Sequence, residues 1–282
     1  MKIRFELNHL ILGLLIVMGF FLIFYDFENR FSLGWESNRD FVISDIGFQE
    51  KQLPLTGPWA SIAPLTTGPW YWYYLILSRV FIPSSYAPWI MIGLTSVATV
   101  FVMYKIGVLL ENEKLGLILA LITTLSPHLI ENSLLLTNTS PIVFLTSVVI
   151  LVFLYLFLEK RKWYWGLLFG WLVGITLLTH YQGAGLLFLI PLLFFLKKNK
   201  LKTLFASLLG LLIASLPILF FELNNHWFNT RGILDFILHT QYRLWTPMRW
   251  KTFVFDFYPQ VWATFTGGAN WLGLVLMFSS GL

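Results

Sequence analysis

A chain of 282 residues that is 57% hydrophobic and only 12% charged, with a mean hydropathy of +0.73, excludes an ordinary soluble domain, which carries about 25% charged residues. The formal charge of +5 does not point to nucleic acid, because the basic residues cluster between apolar runs, at Lys160-Arg161-Lys162 and Lys197 to Lys202. In such places they orient membrane helices. Cysteine is absent, so disulfides and thiolate chemistry are excluded.

Runs without Asp, Glu, Lys or Arg cover Leu7–Tyr25, Val80–Tyr104, Asn132–Leu158, Trp163–Leu196 and Val261–Leu282. Each can supply the roughly 20 helical residues that cross a hydrocarbon core. The fold class expected is an all-α polytopic membrane protein. Leu7–Tyr25 predicts the first span, on a side marked by Lys2 and Arg4. No small-residue cleavage site follows it, which favours a retained helix over a signal peptide.

Residues 26–87 form the most polar region, with Asp26, Glu28, Arg30, Glu36, Arg39, Asp40, Asp45, Glu50 and Lys51 ahead of a Pro/Gly-rich stretch. The aromatic segment 69–82 is short and holds Arg79, so it predicts an interfacial helix with Trp70–Tyr74 as a headgroup belt. Arg79 is then a surface anchor, and Asp45 and Glu50 are solvated. The spans that follow are 88–109, 114–132, 141–158, 163–179, 183–196 and 203–221. With 69–82 on the surface, both lysine clusters share a side with Lys2 and Arg4, as the positive-inside rule prefers.

As one helix, the 34 residues of Trp163–Leu196 would measure roughly 51 Å, too long for a single crossing. The break falls at Thr179-His180-Tyr181-Gln182-Gly183. Outer loops are therefore expected over about 26–87 and 222–268, and an eighth span from about Val261. The chain stops inside an apolar run, at Ser279-Ser280-Gly281-Leu282. Residues 1–282 thus read as one transmembrane domain, the N-terminal part of a longer chain.

No phosphate-binding glycine loop, dinucleotide motif, Cys/His metal spacing or nucleophile elbow is present. The candidates for chemistry are ionisable groups near the membrane surface. Glu36 and Asp40 share one helical face with Arg39 beside them. One carboxylate can take the proton of an acceptor hydroxyl, and a guanidinium can hold a leaving phosphate in a bidentate fork. The same pattern also suits a solvated loop helix.

Glu36-Ser37-Asn38-Arg39-Asp40, followed by Thr67-Gly68-Pro69-Trp70-Tyr71-Trp72-Tyr73, resembles the first outer loop of GT-C-type glycosyltransferases. The group is the dolichyl-phosphate-mannose protein mannosyltransferase-like one (glycosyltransferase family 39), to which bacterial aminoarabinose transferases are similar. The resemblance continues at Leu125-Ser126-Pro127, Thr137-Asn138-Thr139-Ser140-Pro141, Thr179-His180-Tyr181-Gln182 and Glu222-Leu223 with Phe228-Asn229-Thr230-Arg231. It implies a GT-C-like helical domain with a large first outer loop carrying interfacial helices. Glu36 falls on the family's catalytic aspartate and Asp40 is a second acid, so either can be the base. Arg39, Asn138, His180, Tyr181 and Arg231 are the implied substrate-binding residues; Arg243, Arg249 and Lys251 are further cations near the surface. Thr66-Thr67-Gly68-Pro69 stands where the aminoarabinose group has Glu-Lys-Pro-Pro, so that lysine is missing. Asn138 stands where several relatives carry Asp.

The implied function is an inverting transferase in a bacterial inner membrane, with its N-terminus cytoplasmic. It moves a sugar from a polyprenyl-phosphate donor to a hydroxyl of a protein, lipid or glycan at the outer face. The expected partners are that donor, the acceptor and membrane lipids, with no nucleic acid. No cofactor is required, and a divalent metal is left open. A lipid-linked sugar flippase or transporter is the first rival and predicts broken or charged positions at mid-membrane. A non-catalytic polysaccharide-assembly protein is the second.

Overall fold

A computed structural model describes residues 2–61, 65–159, 162–239, 248–266 and 269–279, and the side chains of these except 2–6, 265, 266 and 270. Arg243, Lys160 and Arg161 lie outside the described residues. Among the described residues there is no sheet, only an isolated bridge between Trp59 and Thr66.

The first helix, α1 (Lys2–Phe24), leads into a short α2 (Phe27–Arg30) and then α3 (Trp35–Gln49). After a loop come α4 (Trp70–Phe81), α5 (Ala87–Leu110) and α6 (Glu113–Leu125). The predicted span 114–132 is not one helix. Pro127 lacks the N–H that would continue the ladder, so α6 stops at extended Ser126, whose hydroxyl caps α7 (Pro127–Asn132) at Leu129 N. Next are α8 (Ile142–Leu158) and α9 (Trp165–Thr179).

The break predicted at Thr179–Gly183 is present, with His180 extended. The returning segment is wound tightly: 3₁₀ over Tyr181–Phe188, a turn of α-helix α10 (Leu189–Leu192), and 3₁₀ again over Leu193–Phe195. A 3₁₀ helix rises about 2.0 Å per residue against about 1.5 Å for α. Residues 181–195 therefore reach roughly 28 Å, near the thickness of a hydrocarbon core of about 30 Å.

The long α11 (Lys200–Asn224) contains Pro217 and leads into α12 (Phe228–His239). The remaining helices are α13 (Arg249–Thr252), a π-wound turn at Phe253–Phe257, α14 (Tyr258–Thr266) and α15 (Asn270–Ser279). The eighth span expected from Val261 is not continuous. Helices α14 and α15 pack on one another, with Gly273 against the Pro259 carbonyl.

Helices α1, α5 and α11 are long and apolar enough to cross a membrane; α8, α9 and residues 181–195 are shorter apolar helices. Only 22% of the most apolar windows of α1 and α11 is buried within the protein. Their outer faces, including Leu10, Leu14, Phe21, Phe205 and Phe220, suit acyl chains. One core cluster joins α8, α9 and residues 181–195 through Val149, Val152, Phe169, Val173, Ile190 and Leu193.

The tightest packing lies between α9 and α11. Gly166, Gly170 and Gly174 face Thr203, Ser207 and Ala214, and Gly210 faces the Leu167 carbonyl. A Cβ on Gly170 would stand 1.8 Å from the Ser207 carbonyl oxygen. Small residues four apart let two backbones approach in lipid, where dispersion replaces hydrophobic drive.

Hydrogen bonds assign the helix ends. Ser32 N bonds Leu134 O, Asn138 Nδ2 bonds Thr179 O and Tyr181 Oη bonds Thr66 O. These gather the 26–87 loop, the α7–α8 turn and the α9 end at one pole, here the loop pole. Asn8 bonds Glu113, and Gly166 meets Thr203, at the opposite, lysine-bearing pole. In segment 69–82, α4 has 12 residues, about 18 Å long, and packs on α3, α5 and α9.

Candidate active site

Helix α3 carries the candidate acids, and its inward face is unusual. The buried positions are Ser37, Asp40, Ser44 and Gly47, small or polar where a core helix would be apolar. This lets α4 lie close, since a Cβ on Gly47 would stand 2.5 Å from Ile76. Opposite Asp40, α4 presents Tyr71, which is fully buried in a cluster with Leu75, Trp89, Ile92 and Leu136.

Asp40 is 0% exposed, and its Oδ1 accepts from Arg39 Nε at 2.7 Å. Its Oδ2, the Tyr71 hydroxyl and the Trp72 indole nitrogen are buried and close no hydrogen bond of standard geometry among the described residues. The Tyr71 and Trp72 donors nonetheless face the carboxylate and favour its charged form. Burial outweighs Arg39, Tyr71 and Trp72 and raises the Asp40 pKa above its ordinary value. Burial and then the nearby Asp40 push Tyr71 well above the usual phenol range. Tyr71 therefore stays a neutral donor.

Arg39 is 25% exposed, and its guanidinium lies 5.4 Å over the Trp35 ring. Burial opposes its charge, but Asp40 and Glu36 outweigh that and raise its pKa. Glu36 is exposed in the first turn of α3, where a carboxylate complements the partial positive charge of a helix start. The two acids thus separate: Asp40 is enclosed and partnered, while Glu36 reaches solvent beside the edge of Arg39. Trp35, 76% exposed, completes this outward edge. At the other end of α3, Arg79 bonds Asp45 at 2.7 Å, donates to the Ser84 and Ser85 carbonyls, and stacks on Phe41 at 4.7 Å. Asp45 and Arg79 are therefore a clamp rather than a solvated acid and a headgroup anchor.

The aromatic run is likewise held by protein partners rather than forming the expected belt. Trp70 Nε1 donates to Ala214 O at 2.7 Å, in the α11 turn that Pro217 loosens. Tyr73 Oη donates to Pro54 O, and Tyr74 Oη bonds Thr95 Oγ1.

The loop before α4 ties this site to the rest of the pole. Gly57 and Gly68 pass so close that a Cβ on Gly57 would stand 2.1 Å from the Gly68 carbonyl oxygen, and one on Gly68 would stand 2.6 Å from Leu178. Thr66 O accepts from Tyr181 Oη at 2.7 Å, and Thr66 N donates to the buried Asn229 Oδ1 at 2.6 Å. Glu222 accepts from the backbone N–H groups of Asn229 and Thr230, capping α12.

The remaining sequence candidates are gathered at this pole, and Asn138, His180 and Tyr181 have structural partners. Asn138 Nδ2 holds the Thr179 carbonyl at 3.3 Å. His180 Nδ1 caps the 3₁₀ segment by accepting from Gln182 N at 3.2 Å, and burial lowers its pKa. Tyr181 is a fixed donor through its bond to the Thr66 carbonyl. Arg231 lies exposed on α12, lining a cavity of about 430 Å³ with Asn225, His226, Phe228, Gly232 and Asp235; Asp40 and Arg39 do not line it. Arg249 stacks at 5.5 Å on Phe253, and Lys251 at 5.8 Å on Trp250.

Trp35, Tyr71 and Trp72 were not among the sequence candidates. Their signal was present: two polar-tipped aromatics one turn into a helix facing an acid, and a tryptophan next to Glu36. Among the described residues no three His, Asp or Glu side chains converge as a metal site would require.

Comparison with known structures gives the class. Over 86% of this chain and 38% of that chain, it superposes on the Archaeoglobus fulgidus oligosaccharyltransferase in the apo form, with TM-score 0.55 and 11% identity. Archaeal oligosaccharyltransferase AglB from Archaeoglobus fulgidus, solved with an inhibitory peptide and a dolichol-phosphate, matches over 100% of this chain and 37% of that one, with TM-score 0.58 and 10% identity. The chain thus spans well under half of those proteins. This is the GT-C fold of membrane glycosyltransferases. No curated protein matches the chain. Residues 69–221 match the family described as dolichyl-phosphate-mannose-protein mannosyltransferase; they are more than half of the chain, which belongs to that family. The match begins at Pro69, so helix α3 and its acids lie outside it.

Proposed function

We propose that this chain carries the acceptor-activating and phosphate-holding part of an inverting glycosyltransferase that uses a polyprenyl-phosphate sugar. The observation that carries this reading is the division of labour on α3. A base must come within hydrogen-bond reach of its proton, which favours exposed Glu36. Arg39 offers its free edge to the donor phosphate, and Asp40, enclosed with Tyr71 and Trp72, is the positioning residue that aims it. In the reaction, the acceptor hydroxyl oxygen attacks the anomeric carbon as Glu36 takes its proton. The bond from that carbon to the phosphate oxygen breaks, and polyprenyl phosphate leaves with the electron pair, held by Arg39. Attack opposite the leaving group inverts the anomeric centre.

The lysine-bearing pole, with Lys162, Lys197, Lys198, Lys200 and Lys202, supports placing the loop pole outside the cell membrane and the N-terminus in the cytoplasm. Full-length protein in proteoliposomes, given a panel of polyprenyl-phosphate sugars with hydroxyl acceptors, should form a glycoside of inverted configuration, read by NMR. Retention of configuration, or no turnover with any such donor, would refute the reading.

The raised pKa of Asp40 gives a second test. As pH falls through that value, Asp40 protonates and Arg39 loses its partner. The donor KM should therefore climb at a pH above the ordinary aspartate value of 3.8. Tyr71→Phe removes a group that lowers this pKa, so the climb should begin at higher pH. At neutral pH kcat should be unchanged. A limb that stays put in Tyr71→Phe would remove the hydroxyl from this role.

A further inference from the structure

At the lysine-bearing pole, far along the helices from α3, a cavity of about 590 Å³ opens between the end of α8, the segment leading to α11, and the first turn of α11. Its walls are apolar: Leu156, Phe157, Leu158, Phe195 and Leu196. Its mouth carries Lys162, Lys197, Lys198 and Asn199, all exposed, and among the described residues no acid lines it. Phe195 is 76% exposed at the rim, and Leu158 beside it is half exposed. Orienting a helix by positive charge does not require lysines from two separate loops to converge on one apolar hollow.

We propose that this cavity is a binding site for the phosphate headgroup of an anionic glycerophospholipid from the leaflet at that pole. The three ammonium groups at the mouth match a phosphodiester. The exposed Phe195 and Leu158 offer the path on which acyl chains leave the site. Basic pockets between membrane helices recognise anionic headgroups in this way, and the volume lies in the range of small-ligand sites. The bound lipid would bridge α8 to α11 at the lysine end. Toward the loop pole, Asn138 in the turn before α8 holds the Thr179 carbonyl of α9, and Ala214 midway along α11 holds Trp70 through its carbonyl. The site would thus brace the frame on which the loop pole is built.

The test uses full-length protein in nanodiscs of phosphatidylcholine alone or with phosphatidylglycerol, with Tm and retained lipid read by thermal unfolding and native mass spectrometry. The parent should gain at least about 3 °C with phosphatidylglycerol and retain it selectively. The triple variant Lys162→Gln, Lys197→Gln, Lys198→Gln should lose both effects. Asn199→Asp keeps every lysine, so it leaves the charge that orients the helices in place. Its acid suits the left-handed backbone at φ 54° and the start of α11, yet it would repel a phosphate at the mouth. It should keep the basal Tm and weaken lipid retention about tenfold. An undiminished shift in Asn199→Asp would overturn the site in favour of general surface charge. An equal shift of the parent in phosphatidylcholine with millimolar glycerol phosphate would overturn the lipid in favour of a free anion.

Discussion

Replacing Glu36 by Gln is expected to lower kcat for sugar transfer by about 10²- to 10⁴-fold, the usual range for a lost general base. Donor KM should change little. The side chain is exposed, so the amide leaves folding and membrane insertion intact. Asp40→Asn should act differently. The amide keeps an oxygen for the Arg39 Nε–H but loses the negative charge, and its Nδ2 turns a donor toward the Tyr71 and Trp72 donors. Arg39 is then less firmly aimed: donor KM should rise about tenfold, roughly 1.4 kcal/mol of lost binding, with kcat within a few-fold. Arg39→Lys should resemble Asp40→Asn rather than Glu36→Gln, because an ammonium cannot give one N–H to Asp40 while presenting a planar fork to a phosphate. Steady-state kinetics on the three full-length variants decide the assignment. Abolished kcat in Asp40→Asn with normal turnover in Glu36→Gln would exchange the two roles and refute the scheme.

The distinction between these acids was not available from spacing. Glu36 and Asp40 are four apart, and periodicity puts them on one face; which of them that face buries depends on Tyr71, 31 positions further along the sequence. Burial of α3 is also invisible to apolar patterning, because its inward face is Ser37, Asp40, Ser44 and Gly47. What local chemistry controls was readable: the break at Thr179–Gly183 and a short helix over 69–82. Hydropathy does not see winding. Residues 181–195 form an apolar helical segment after the break, but wound largely as 3₁₀, and 114–132 fails as one helix because Pro127 sits inside it. The belt reading of Trp70–Tyr74 failed for a related reason: amphipathic aromatics suit a membrane interface and a buried polar junction equally well, and only the packing partner decides.

Gly170→Ala in α9 should be among the most damaging single methyl groups that can be added to this chain. The new Cβ would meet the Ser207 carbonyl oxygen at 1.8 Å, with the carbonyl carbon at 2.5 Å and Cα at 2.7 Å. All three are backbone atoms, so no side-chain rotation relieves the clash, and α9 must move away from α11. Gly166, Gly174 and Gly210 would lose their close contacts together. A cost at or beyond the upper end of the usual 1–3 kcal/mol for overpacking is expected. Gly13→Ala in α1 is the control: nothing lies within 4 Å of its Cβ, and exchanging Gly for Ala in a helix favours folding by roughly 0.5–1 kcal/mol. Thermal unfolding in detergent should therefore show a clear fall in Tm for Gly170→Ala and none for Gly13→Ala. The damage should also reach the loop pole without touching it. Separating α9 from α11 pulls Leu178 from Gly68 and the Ala214 carbonyl from Trp70, two of the supports of the segment that delivers Tyr71 to Asp40. Donor KM should accordingly rise in Gly170→Ala even below its unfolding temperature. A stable variant with unchanged KM would show that α3 and α4 hold Arg39 without this frame.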